Sequence, residues 1–275
     1  MKPESETPRF FESGGRPLYG VYYAPRATRP GAPVVVHSHS LGIEQLTNYR
    51  NEVKLARAAA ARGIPTLRYH GRGHGDSAGD FAEVTLSSMV EDAMAAADHA
   101  RRVSGSERVV WLGVRFGAIV AAHAVRRRDD TAAVALWEPV GRAKDYFRSQ
   151  LRTMLLSQVA AGRRPDETVD GLLAAVERDG RVDVHGYYLH RSLLDSACEE
   201  DSSLALAAWT GPTLLVQIQA RRSLTPAHEA LARGRGTTLR TERIAEEPGW
   251  HFVSNPPWQS QQLVDLTVEW LDGLV

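Results

Sequence analysis

The chain reads as an α/β protein built around a mostly parallel sheet, and three observations point there. Short β-rich runs alternate with longer Ala- and Leu-rich stretches, the pattern of strands joined by crossover helices. Runs such as PVVVHSH (33–39) are apolar on both faces, as strands buried between helix layers are. The stretch WLGVRFGAIVAA (111–122) enters a Gly-x-x-x-Gly turn as a strand and leaves it as a helix.

The elements follow in order. Residues 1–8 read as a loose tail, and LYGVYYA (18–24) as one arm of an N-terminal hairpin. After strand 33–39 a helix is predicted over 48–63, with Asn48 as its cap and Gly63 at its end. Strand 64–70 leads into the Gly-rich loop GRGHGDSAGDF, where Asp76 is expected to bond backbone amides. Helix 86–103, strand 108–114, helix 116–128 and strand 132–140 complete the first part of the core. Residues 141–205 look helical, with a polar break at GRRPDE (162–167), and are expected to form a helical cap over the sheet. The core (9–140) then resumes over 206–275 with strand 213–219, a helix near 225–233, a strand near 237–244 and a final helix over 257–272. In that helix Leu263, Leu266, Trp270 and Leu271 recur at helical spacing.

Composition narrows the function. The 275 residues are 43% apolar and 24% charged with zero formal net charge, so nothing global suggests nucleic acid or an anionic membrane. No apolar run reaches the roughly 20 residues that span a bilayer. One cysteine, Cys198, rules out an internal disulfide and fits a reducing cytoplasm. The expected partner is a small-molecule substrate, with a homodimer left open.

Strand, Gly-x-x-x-Gly turn and helix is the shape of a nucleophile elbow, but its centre is Arg115. The order of segments resembles the α/β-hydrolase fold: HSHSLG (37–42) after one strand, GHGDSAGDF (73–81) after the next, GVRFGA (113–118), a cap, then His251 in PGWHF before the last helix. More narrowly, GHGDSAGDF, GVRFGA and LWEPVGR (136–142) resemble the serine-aminopeptidase-like hydrolases encoded beside exosortase systems, in which an elbow arginine belongs to the pattern. The resemblance spans about 10 to 273.

It implies a degenerate triad. His251 takes the place of the catalytic histidine. The loop expected to hold the acid, QARRSLTPAH (219–228), has no carboxylate, so Glu138 at the end of strand 132–140 is the candidate, alternatively as a buried partner of Arg115 or Arg142. Arginine stays protonated and cannot form an acyl-enzyme. Arg115 therefore either receives a substrate anion at a helix N-terminus or plugs a dead pocket. Ser40, Leu41 and Phe116 are expected to offer backbone N–H groups to an oxyanion, and His39 or Ser40 could act directly. Tyr187 in VHGYYLHRS lines a substrate pocket or packs in the cap. Ser77 and Cys198 are poor nucleophile candidates, and neither a metal nor a cofactor is expected. Two classes of function remain: an enzyme using His251 on water, an ester, thioester or lactone, or as a lyase or cyclase; and a pseudohydrolase that binds a ligand or partner.

Overall fold

The computed structural model describes residues 5–220, 223–233, 238–247, 249–250 and 258–275. The eight strands of the main sheet are β1 (Ser5–Ser13), β2 (Arg16–Ala24), β3 (Val34–Ser38), β4 (Thr66–Tyr69), β5 (Val109–Val114), β6 (Thr131–Trp137), β9 (Thr213–Ile218) and β10 (Leu239–Ile244). They lie in the order β1-β2-β4-β3-β5-β6-β9-β10. From β4 to β10 the neighbours are parallel, and β1 and β2 add antiparallel at one edge. The loose tail expected over residues 1–8 is corrected for residues 5–8, which belong to β1. Residues 5–8 pair with 21–24, because a hairpin arm needs a partner of equal length.

Alternation along the strands divides the interior. Trp111 joins a core under α2 (Leu86–Ser104) and α3 (Gly117–Val125), while Val110, Leu112 and Val114 face α1 (Gly42–Ala61) and α9 (Gln261–Asp272). In α9, Leu263, Trp270 and Leu271 are buried and Leu266 packs partly against them, as their spacing predicted.

The first helix corrects the expected boundary. It begins at Gly42, and Asn48 lies inside it, donating from Nδ2 to the Glu44 carbonyl at 2.8 Å. The Gly-rich loop after β4 is also held differently. Asp76 is exposed, and the anchors are Ser77, which accepts from the Tyr19 N–H at 2.8 Å and donates to the His70 carbonyl at 2.7 Å, and Arg72, paired with buried Asp92 at 2.7 Å. A side chain that both donates and accepts closes a loop between two strands better than an exposed carboxylate does.

The segment between β6 and β9 is not purely helical. It contains α4 (Ala143–Ala160), α5 (Val169–Asp179), a hairpin of β7 (Arg181–Val184) and β8 (Tyr187–His190), then α6 (Arg191–Ala197) and α7 (Ser202–Ala205). The run Tyr-Tyr-Leu-His favours a strand, and the His185–Gly186 turn, both at positive φ, closes the hairpin. A last short helix, α8 (Pro226–Ala232), follows β9. Among the described residues no helix is long and apolar enough to cross a membrane.

Candidate active site

The site begins where β5 turns into α3. A Cβ on Gly113 would lie 2.6 Å from the Ala118 Cα, and one on Gly117 would lie 1.9 Å from the Ser38 carbonyl oxygen. Both positions need glycine because the turn folds back on its own helix and presses the loop after β3 against the helix start. Arg115, between them, is held at φ 53°, a region costly for a side chain with a Cβ. Its N–H bonds the Trp137 carbonyl at 3.0 Å, and its carbonyl accepts from Ala118 at 3.0 Å.

The anion facing Arg115 is supplied by the chain itself. Glu44, in the first turn of α1, is completely buried. Its Oε1 accepts from Arg115 Nε at 3.3 Å and Nη2 at 3.1 Å, and from Gln150 Nε2 at 2.8 Å. Its Oε2 accepts from the Tyr146 hydroxyl at 3.1 Å. The remaining arm of Arg115, Nη1, donates to the Glu138 carbonyl at 3.0 Å. Trp250 lies against the guanidinium at 4.8 Å and Tyr146 at 5.9 Å. Only 13% of the Arg115 side chain is exposed. Burial works against its charge, but Glu44 and then Glu138 outweigh it and hold the guanidinium above its usual range. Burial, then the Glu44 carboxylate, pushes the Tyr146 phenol well up.

Glu138 also has positive φ, 39°, at the end of β6. Sequence reasoning anticipated its carboxylate on His251, or paired with Arg115 or Arg142. Its contact to Arg115 runs through the backbone carbonyl instead. The carboxylate accepts from the Ile218 N–H at 2.5 Å and from the Gln219 side-chain amide. Burial raises its pKa, partly offset by Arg115. The histidine beside it is His228 of α8, with Nε2 3.7 Å from Glu138 Oε2 and Nδ1 2.5 Å from Thr225 Oγ1. Burial, then the charge of Arg115, pushes His228 down to about 4. His251 lies outside the described residues.

Two cavities flank this cluster, and Tyr146 lines both. One, of about 390 Å³, is bordered by Arg115, Glu138, Arg142, Ser149 and His228. The other, of about 550 Å³, lies between α1 and the β7–β8 hairpin. Leu41 lines the larger cavity, and Tyr187 stands 42% exposed at its rim, where a Cβ on Gly42 would lie 3.5 Å from its own Cβ. The other residues of the loop are enclosed. Ser40 is completely buried, with Oγ 3.4 Å from Asn48 Nδ2. His39 is 7% exposed, with Nδ1 2.8 Å from the Ser40 carbonyl, and burial, then His74, lowers it to about 3. The Phe116 ring is buried against Tyr146 and Phe147 at 5.4 and 5.6 Å.

Sequence reasoning missed Glu44 and His228. Glu44 was hidden by starting α1 too late. His228 sat in a loop searched only for carboxylates, although Thr-Pro-x-His is a helix start that fixes the ring against its own cap. Among the described residues no group of three or more His, Cys, Asp or Glu could hold a metal ion. Cys198 is half-buried, and burial, then Glu199, raises its thiol.

Comparison with known proteins agrees with this architecture. Est1E from Butyrivibrio proteoclasticus, solved with ferulic acid bound, superposes with a TM-score of 0.70 at 16% identity over 96% of each chain. Proline iminopeptidase from Mycobacterium smegmatis gives 0.64 at 16% identity over 98% of each chain. An esterase from Pyrococcus furiosus gives 0.66 at 12% identity over 98% of this chain and 91% of that one. At such identities the likeness is one of fold. No curated protein matches the chain. The family model described as "Serine aminopeptidase, S33" matches residues 34–183, more than half of the sequence. With its mostly parallel sheet, its elbow and this match, the chain belongs to the serine aminopeptidase S33 family of the α/β-hydrolase fold.

Proposed function

We propose that this protein takes a small acyl or carboxylated ligand into the larger cavity and carries out no acyl-enzyme chemistry. The observation that carries this reading is the state of Arg115: a permanent cation stands at the nucleophile position, paired with buried Glu44, and three of its five N–H donors go to Glu44 and the Glu138 carbonyl. A guanidinium does not attack a carbonyl, and this one already holds a carboxylate counter-ion that a substrate anion would have to compete with. The reading of Arg115 as a plug is therefore favoured over substrate recognition, and ligand capture falls to the cavity that starts at Leu41. The segment between β6 and β9 acts as the cap of that cavity.

A second reading keeps turnover. The loop carrying Ser40 and Leu41 is pressed against the start of α3, which suits backbone N–H donation to an oxyanion from Leu41 and Phe116. His251 would then be the general base on water, with Glu138 acting in the same site. One set of assays separates the two. The wild type should resist a fluorophosphonate probe, and labelling at Ser40 refutes both readings. Hydrolysis of p-nitrophenyl acetate that His251→Ala abolishes supports turnover. Ligand binding that persists in His251→Ala, without hydrolysis in either protein, supports capture alone.

A further inference from the structure

The larger cavity changes character from floor to rim. Leu41, Phe147, Leu189 and Leu193 line it and are buried, whereas Arg181, Tyr187 and Tyr188 of the β7–β8 hairpin line it and are exposed. The rings at the floor, Tyr146 and Phe147, already pack against Phe116 and meet each other edge-on at 5.6 Å. A ligand gains there by the apolar area it covers, which a flexible alkyl chain supplies.

The positive charge of this lining sits at the rim. Arg115 borders the smaller cavity and not this one. Burial keeps His74 and His190, the histidines of the lining, neutral near pH 7. The Arg181 guanidinium lies over the Tyr188 ring at 4.3 Å, which restrains its long side chain, and it forms no ion pair among the described residues. Asp80, the carboxylate of the same lining, already accepts the Ala82 N–H at 2.9 Å. A planar fork held at the mouth of an apolar cavity matches the two oxygens of a carboxylate.

From this gradient we infer that the cavity takes an aliphatic carboxylate with its head outward: the alkyl chain lies on the floor and the carboxylate meets Arg181 at the rim. Anion recognition then belongs to the hairpin and not to the elbow arginine. The inference rests on the reading above that this cavity holds the ligand, and it names the free carboxylate, in place of a neutral acyl ester, as the form bound.

Calorimetric titration of the wild-type protein with octanoate, octanol and octylammonium near pH 7 tests it, since the chain stays constant while the charge of the head changes. Octanoate should bind about fivefold more tightly than octanol, the effect of one partly exposed ion pair, and octylammonium more weakly than octanol. Arg181→Gln should bring octanoate down to the level of octanol and leave octanol unchanged. Octanol binding as tightly as octanoate, or a preference that survives Arg181→Gln, overturns the role of Arg181 while the ligand reading stands. Tighter binding of octylammonium assigns the head to Asp80 and overturns it equally. If none of the three binds, the ligand reading itself falls and takes this inference with it.

Discussion

At the scale of the residue, the site is governed by one buried ion pair. Desolvating Arg115 and Glu44 is costly, and their attraction is helped to offset it by Tyr146 and Gln150, which donate to the carboxylate, and by the Glu138 carbonyl, which takes a third donor of the guanidinium. Removing one partner leaves a buried charge uncompensated. Arg115→Met should therefore destabilise the fold by about 3–5 kcal/mol, and Glu44→Gln by a comparable amount. The double variant should recover most of the loss, since no lone charge remains. Urea unfolding of the four proteins gives the coupling directly, and additive losses would refute the pairing. The same geometry explains why Arg115→Ser is not expected to restore an esterase by itself: it leaves the buried Glu44 carboxylate without its cation, and no described histidine is hydrogen-bonded at this position.

Among the elements, the elbow is the most constrained. Gly117→Ala would drive a methyl to 1.9 Å from the Ser38 carbonyl, backbone against backbone, which neither β3 nor α3 can relieve by turning a side chain. A loss of about 2–3 kcal/mol or failure to fold is expected, against less than about 1 kcal/mol for Gly273→Ala at the exposed end of α9, where φ is −73° and a Cβ would meet nothing closer than 3.5 Å. Thermal melts of the two variants decide it. The β7–β8 hairpin is the other informative element. Its Tyr187 and Tyr188 stand at the cavity rim, and replacing both with serine should weaken ligand binding while leaving the melting temperature within a few degrees, because both are more than two-fifths exposed.

For the whole molecule, acid sensitivity follows from the buried histidines. His39 is lowered to about 3, and His74 and His228 to about 4, burial being the largest cause for each. Below about pH 6.5 the unfolded chain binds protons that these neutral, folded side chains refuse. Stability is therefore full above pH 6.5 and falls as the pH drops toward 4, by at most about 1.4 kcal/mol per pH unit for each histidine. Buried Glu52 and Glu138, both raised, act in the opposite direction. Urea midpoints at pH 7, 6 and 5 should decline, and His228→Gln should make the decline shallower. A flat profile would contradict the assignment.

The sequence by itself determined the order of the core elements, the parallel core and the identity of the residue at the elbow, but not the β7–β8 hairpin. These are local or periodic properties: apolar runs bounded by glycine, helical spacing in α9, and two glycines framing Arg115. It did not determine what Arg115 touches. Glu44 and Arg115 lie on different elements, and Gln150 and Tyr146 come from the segment between β6 and β9. Only the packing of α1 and α4 above β5 brings those four side chains together. The same holds for His228 and Glu138, joined across β6 and α8. Periodicity fixes which face of an element is buried. Which partner a buried charge finds is settled by the crossing of elements distant in the chain, because a buried charge is tolerated only where packing supplies an opposite charge and hydrogen bonds.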